Sequence, residues 1–132
     1  MTDRVATCRC GQLRAETSGE PVRVSVCHCL NCQKRSGSAF AAQARWPEDQ
    51  VKITGESKEW SQAGDSGKTA TFGFCPNCGS TVFYVNEGME GLIAVATGAF
   101  ADPTFPAPHY SVYENRMHPW LAIIGEGIEH YD

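Results

Sequence analysis

Residues 75–79 read Cys75-Pro76-Asn77-Cys78-Gly79, which has the spacing of a zinc knuckle. Two thiolates separated by two residues can converge on one ion, and Pro76 restricts the backbone between them. Gly79 can take the positive φ that such a tight turn needs. Residues 8–11 (CRCG) supply a similar turn ahead of a strand. Together the two turns predict a closed structural zinc site with four ligands: Cys8, Cys10, Cys75 and Cys78.

A second cysteine cluster occupies residues 27–32, which read CHCLNC. We expect Cys27 and Cys29 to project to the same side of an extended segment, and Cys32 to return from the first turn of a short helix. Structural zinc sites use four protein ligands, whereas catalytic sites use three and leave one position for water or substrate. The cluster therefore predicts an open zinc site, which gives two zinc ions per chain.

Another division of the seven cysteines stays open. Cys29 and Cys32 could join Cys75 and Cys78 in a zinc ribbon, although the gap between these pairs is longer than usual for that motif. We favour four ligands plus three, because both the spacing and the coordination numbers fit it. Both sites could also be purely structural, since zinc often replaces part of the core in small proteins.

Cysteine usage and charge limit the classes of function. The cysteines are odd in number and clustered, which favours metal over disulfides in a reducing compartment. The N-terminus lacks the apolar run of a secretory signal, and no stretch is long enough to span a bilayer, so we expect a cytoplasmic protein without membrane contact. A net charge of −4, with Lys34-Arg35 as the only adjacent basic pair, argues against nucleic-acid partners.

The rest of the chain predicts an all-β fold in one domain, residues 1–132. Apolar and alternating segments bounded by glycine and proline are typical of short, mostly antiparallel strands. A helix is expected over residues 30–36, ended by Gly37, with a polar hairpin connection over 55–68 and an ordered loop over 101–108. The predicted strands are 22–26, 51–54, 69–74, 81–85, 92–97 and 120–124.

Several side chains near the clusters are candidates for supporting roles. His28 could donate a hydrogen bond behind the metal ligands, Lys34 could pair with a substrate carboxylate, and Ser36 could offer a hydroxyl. The simpler expectation for His28 is an exposed ring that faces away from the metal. His109, His118 and His130 are expected to be packed or surface groups rather than ligands. The expected core aromatics are Phe40, Trp46, Phe72, Phe74, Phe83 and Trp120.

The motifs resemble the glutathione-dependent formaldehyde-activating family, also called the CENP-V/GFA domain. The stretches that carry the resemblance are residues 8–11 (CRCG), 27–40 (CHCLNCQKRSGSAF), 74–80 (FCPNCGS) and the C-terminal segment around 98–103, His109 and 119–121. The resemblance implies a β-tent of small antiparallel sheets. It also implies a structural zinc on the four-cysteine set and a catalytic zinc on Cys27, Cys29 and Cys32.

The implied reaction is that of a carbon–sulfur lyase, which joins glutathione as co-substrate to formaldehyde as S-hydroxymethylglutathione. One departure concerns residues 71–73, where family members often carry a basic residue and this chain has none. If that residue helps to hold an anionic substrate, the preference for glutathione is affected.

The chemistry of three thiolates agrees with that implication. They more than neutralise the charge of zinc, so a bound water is acidified less than in a three-histidine site. Such soft ligands suit the exchange of water for a substrate thiolate rather than hydrolysis. The partner is then a small-molecule thiol or aldehyde, while the competing hypothesis is a non-enzymatic zinc module that binds thiols or protein partners. The sequence leaves the oligomeric state open.

Overall fold

The computed structural model describes residues 2–132, and short strands make up most of its regular structure. The described residues contain a single α-helix, α1 (Leu30–Ser36), and three short 3₁₀ turns, Glu48–Gln50, Thr97–Phe100 and Glu114–Arg116. The predicted all-β class is confirmed. The strands are β1 (Asp3–Thr7), β2 (Arg14–Ser18), β3 (Arg23–Cys27), β4 (Ala41–Pro47), β5 (Val51–Thr54), β6 (Lys58–Ala63), β7 (Thr69–Phe74), β8 (Thr81–Asn86), β9 (Leu92–Ala96), β10 (Tyr110–Val112) and β11 (Glu129–His130).

The strands form two sheets. One is three-stranded, in the order β1-β2-β5, and the other is built of short strands in the order β11-β10-β3-β4-β9-β8-β7-β6. Pairing is antiparallel throughout except at β10, which runs parallel to both β3 and β11. The predicted, mostly antiparallel arrangement is therefore confirmed.

The core lies between the two sheets and uses one face of each. Strand β4 shows the pattern, because Ala44 and Trp46 join the buried apolar cluster while Gln43 and Arg45 point to the opposite face. Trp46 is fully buried, and its indole N–H donates to the carbonyl of Gly19 at 3.0 Å. The opposite face of the larger sheet carries Gln43 and Arg45, and it forms the site described below.

The helix follows its predicted bounds. It covers residues 30–36 and ends at Gly37, which adopts the left-handed conformation (φ 69°) and donates its backbone N–H to the carbonyl of Gln33. Glycine suits this position because it carries no Cβ to clash there.

Two strand assignments from the sequence need correction. The strand expected at 120–124 is wrong: this segment is irregular, and Trp120, expected in the core, is 73% exposed. An apolar run forms a strand only where it can hydrogen-bond to the edge of a sheet. Here the C-terminal residues that form the edge strand are those of β11. The polar connection 55–68 in fact contains strand β6, which pairs with β7 along its whole length, so the turn is confined to the residues after Ala63.

No α-helix of the described residues is long and apolar enough to cross a membrane.

Candidate metal centres and the adjoining cavity

The four-cysteine cluster is built from two turns with matching geometry. Cys8 and Cys75 each donate their backbone N–H to a carbonyl five residues later, that of Leu13 and Ser80, both at 3.0 Å. Gly11 and Gly79 follow each turn with φ of 88° and 80°, which confirms the conformation predicted for Gly79. The two turns face each other, so the residues that follow strand β1 lie beside the turn at residues 75–79.

The sulfur positions of this cluster fit a tetrahedral ion. The Sγ atoms of Cys8 and Cys10 lie 3.5 Å apart, and those of Cys10 and Cys75 lie 3.7 Å apart. Zinc–sulfur bonds of about 2.3 Å in tetrahedral geometry require sulfurs about 3.8 Å apart. All four Sγ atoms lie within 4.8 Å of one another, so Cys8, Cys10, Cys75 and Cys78 can hold one zinc ion.

Hydrogen-bond donors contact the sulfur atoms of this cluster, and they favour the thiolate form at Cys75 and Cys78. The backbone N–H of Leu13 donates to the Sγ of Cys8 at 3.3 Å, and the side-chain amide of Gln12 donates to the Sγ of Cys75 at 2.9 Å. The hydrogen bond between the side chains of Cys78 and Ser80 lowers the pKa of Cys78 to about 5. Donors that stabilise the charged form are what a thiolate ligand needs.

The second cluster lies where β3 passes into α1. Cys27 is the last residue of β3, Cys29 is the N-cap of α1, and Cys32 lies in its first turn. The three Sγ atoms lie within 4.8 Å of one another, and among the described residues no other His, Cys, Asp or Glu joins the group. The chain thus brings these cysteines together as the sequence predicts, in a group of three.

The thiols of this trio share charge through hydrogen bonds. Bonds from the Cys27 and Cys32 thiols lower the pKa of Cys29 to about 2. The side chain of Cys29 raises the pKa of Cys27 to about 11. The side chains of Cys27 and then Cys29 raise the pKa of Cys32 well above its usual range. Negative charge in the trio is therefore favoured at Cys29, whose sulfur also accepts from the backbone N–H of Cys32 at 3.3 Å. A divalent cation would replace the two shared protons.

His28, between two of these cysteines, points away from the trio. Its ring is fully buried, so the expectation of an exposed ring is wrong, whereas the expected orientation away from the metal agrees with the contacts. The Nε2 atom is hydrogen-bonded to the hydroxyl of Ser111 at 2.9 Å, because parallel strand β10 lies beside β3. Burial lowers the pKa of His28. The ring therefore ties the trio to β10.

Gln33 gives further support, which the sequence analysis did not foresee. Its side-chain amide donates to the carbonyls of His28, at 2.8 Å, and Arg116, at 3.1 Å. Its oxygen lies 2.9 Å from the Nε2 of His118. Gln33 thus fixes the loop of the trio to the C-terminal segment. Its position one residue after the last cysteine of the trio was visible in the sequence, but two of its three partners, Arg116 and His118, are more than 80 residues away.

The trio opens onto a cavity of about 330 Å³ on the face of the larger sheet that lies opposite the core. Strand register explains the lining, because side chains on neighbouring strands line up in rows across a sheet. One row crosses six strands and consists of Arg23, Arg45, Ala94, Tyr84, Phe72 and Trp60.

Aromatic rings form one side of this cavity. The ring centroids of Trp60 and Phe72 lie 6.3 Å apart, and those of Phe72 and Tyr84 lie 5.1 Å apart. Phe72, assigned to the core from sequence, therefore lies in the cavity wall. Burial raises the pKa of Tyr84 well above its ordinary value, so its phenol keeps its proton at neutral pH.

Three arginines form the other notable part of the lining: Arg23, Arg35 and Arg45. The guanidinium carbon of Arg35 lies 5.0 Å from the ring centroid of Phe72. Residues 71–73 lack the basic residue that the resemblance leads one to expect, and Arg35 brings positive charge to the same strand from the helix.

The other predicted helper residues lie outside this lining. Lys34 is exposed and absent from the cavity wall. The hydroxyl of Ser36 accepts from the backbone N–H of Ser38 at 3.2 Å and lies 3.4 Å from the carbonyl of Phe40, so it organises the end of the helix. His109 accepts a hydrogen bond from the backbone of Val24 at 3.1 Å and belongs to neither cysteine cluster.

Comparison with known proteins adds a family and a related fold. A sequence model described as glutathione-dependent formaldehyde-activating enzyme matches residues 3–116. Among solved structures, a crystal structure of a Rhodobacter sphaeroides protein is similar, with a TM-score of 0.59 and 17% sequence identity over 75% of this chain and 91% of that one. At that identity the likeness shows the fold alone. No curated protein sequence matches the chain.

Proposed function

Because the chain belongs to the glutathione-dependent formaldehyde-activating enzyme family, we propose that it is a zinc-dependent carbon–sulfur lyase that joins a thiol to an aldehyde or cleaves their adduct. Family membership supports a formaldehyde-activating role in general. The specific pair proposed here is glutathione and formaldehyde, with S-hydroxymethylglutathione as the adduct.

One observation carries the proposal. The trio of Cys27, Cys29 and Cys32 has no fourth ligand side chain among the described residues, and it faces a cavity large enough for a small thiol. The four-cysteine cluster, by contrast, is complete and lies outside that cavity. This difference supports a structural role for one site and a catalytic role for the other.

The proposed reaction needs few side chains besides the three cysteines. Cys27, Cys29 and Cys32 would hold the zinc ion, whose chemistry would be to bind a substrate thiolate, and the cavity beside them would bring an aldehyde carbon close to that sulfur. The sulfur would bond to the carbonyl carbon while the carbonyl π electrons move to oxygen, and that oxygen would take up the proton that the thiol released when it ionised. Tyr84 lines the cavity with its phenol protonated and is the proposed hydrogen-bond donor to that oxygen.

The hydrogen-bonded partners of the trio would position it rather than react. Ser111 is hydrogen-bonded to His28, and Gln33 donates to the backbone carbonyl of His28. These bonds would keep the cysteines in place beside the cavity. Lys34 and Ser36 receive no role in this proposal because neither lines the cavity.

The test is formation of the thiol–formaldehyde adduct by the zinc-loaded protein, followed by NMR. We expect faster adduct formation and exchange than in a blank, and loss of that acceleration in Cys29→Ser, which removes one thiolate of the trio. Cys29→Ser is checked for native circular dichroism so that loss of activity is not loss of fold. Equal rates in the wild type, the variant and the blank would contradict the enzyme and favour the non-enzymatic zinc module.

A further inference from the structure

Arg45 is a buried cation without an anionic partner. Its side chain lies in the cavity wall and is only 7% exposed. Its guanidinium donates to two neutral acceptors, the amide oxygen of Asn86 at 3.1 Å and the hydroxyl of Ser25 at 3.4 Å. Buried arginines are usually paired with carboxylates, because an unpaired buried charge is costly.

Arg23 and Arg35 share this lack of a partner. Each has a buried Nε that donates no hydrogen bond. Aromatic rings hold the two guanidinium groups instead: Arg23 lies 4.2 Å from the ring centroid of Tyr110, and Arg35 lies 5.1 Å from that of Tyr84. Within residues 2–132, none of the ion pairs includes Arg23, Arg35 or Arg45.

The charges around the cavity do not cancel these arginines. The lining carries two acidic residues: Asp65 is paired with Arg116 at 3.1 Å, and Glu87, which accepts from the backbone N–H of Thr69 at 2.6 Å, leaves one negative charge against three arginines. Lys68 adds another positive charge to the lining. Three thiolates on a divalent ion would leave a single negative charge. The positive excess is local, since the chain as a whole carries −4.

We propose that Arg23, Arg35 and Arg45 bind carboxylate groups of the thiol substrate and thereby select carboxylated thiols over neutral ones. This inference rests on the proposed function, because it assigns the substrate class of the same cavity. The planar guanidinium suits a carboxylate, which it can bind through two parallel hydrogen bonds. The sulfur end of the substrate then meets the trio, and its carboxylate end meets the arginines.

The test uses a probe that cannot react. S-methylglutathione carries both carboxylates but no free thiol, so calorimetry on the zinc-loaded protein measures the arginine contacts separately from sulfur binding. Its diethyl ester, in which both carboxylates are masked, is the matched control ligand. The variants are Arg45→Gln and Arg35→Met, with Arg14→Gln as control, since Arg14 lies on the smaller sheet away from the cavity.

We expect S-methylglutathione to bind the wild type and Arg14→Gln equally, and each cavity variant about 10- to 100-fold more weakly, the usual loss for a charged hydrogen bond. The diethyl ester should bind weakly and alike to all four proteins. Arg35 is less buried than Arg45, so Arg35→Met decides the matter if Arg45→Gln does not fold. Undetectable binding to the wild type, or binding that neither variant weakens, would overturn the inference.

The outcomes separate this inference from the proposed function. Arginine-dependent binding of S-methylglutathione without any acceleration of adduct formation would leave the carboxylate site standing and reject the enzyme. Adduct formation with unchanged binding and unchanged KM for glutathione in both variants would leave the enzyme standing and reject the carboxylate site.

Discussion

The Sγ atom of Cys29 accepts a hydrogen bond from the backbone N–H of Cys32 at 3.3 Å, so one thiol both caps helix α1 and belongs to the cysteine trio. Metal binding and local helix stability are therefore coupled through a single side chain. Serine is a good N-cap but a poor zinc ligand, whereas alanine is neither. Two substitutions at this position can separate the roles.

We expect both Cys29→Ser and Cys29→Ala to lower the zinc content from about two ions per chain to about one. Cys29→Ala should also be less stable than Cys29→Ser by about 1 kcal/mol, because only the alanine variant loses the cap. Metal analysis and urea unfolding of the zinc-loaded variants measure these effects. Equal stability of the two variants would show that the cap contributes nothing.

Cys75 is expected to be far more important for stability than Cys29. It is fully buried in the core cluster and belongs to the complete four-cysteine set. Structural zinc contributes on the order of 10 kcal/mol to folding, which is comparable with the whole stability of a domain. Cys75→Ser should therefore unfold or lose its cooperative thermal transition, with Cys29→Ser as the folded control. A native-like melting curve for Cys75→Ser would reject the structural role.

Gly73 lies two residues before Cys75, in a strand position with no room for a side chain. A Cβ there would overlap the ring of Phe83, its cross-strand partner, and the register of β7 and β8 shifts between Gly73 and Phe74. Gly73→Ala should cost about 1–3 kcal/mol, as overpacking usually does. Gly98→Ala is the matched control, because no atom lies within 4 Å of its added Cβ. Urea unfolding compares the two, and equal stabilities would contradict the close contact.

Tyr84 gives a prediction about alkaline pH. Burial raises its pKa well above 10, so the folded state keeps the proton at a pH where the unfolded state has lost it. Stability from this group is present below pH 10 and is lost as the pH rises further. In a titration followed by ultraviolet absorbance, wild type and Tyr84→Phe should differ only well above pH 10. In denaturant the absorbance difference between the two proteins should appear near pH 10. An absorbance difference near pH 10 in the folded proteins would contradict the burial of this phenol.

Local signals explain what the sequence could predict. Cysteine spacing identified both clusters, and Gly37 gave the end of the helix, because these features depend on residues close together in the chain. The apolar run at 120–124 was wrongly predicted as a strand, because strand formation needs a partner strand, which a local pattern does not reveal. The exposed state expected of His28 was wrong for the same reason: the ring packs beside β10, a strand far along the chain, where Ser111 is its hydrogen-bond partner.

The cavity was hidden from the sequence because it is a product of strand register. Arg23 and Arg45 are partners across β3 and β4, while Phe72 and Tyr84 belong to strands elsewhere in the chain. The strand that carries Arg45 was not predicted, since both of its faces are largely buried and its residues do not alternate clearly. The arginines become a group only when the sheet is assembled.

The central claim is that the trio binds an ion whose fourth position is free for a thiol. X-ray absorption at the zinc edge tests it most directly, on wild-type protein loaded with about two zinc ions per chain, before and after addition of glutathione. We expect an average of about 3.5 sulfur ligands per zinc, rising to about 4 with the thiol. A full set of four sulfurs before the thiol is added, or an average that the thiol leaves unchanged, would contradict it.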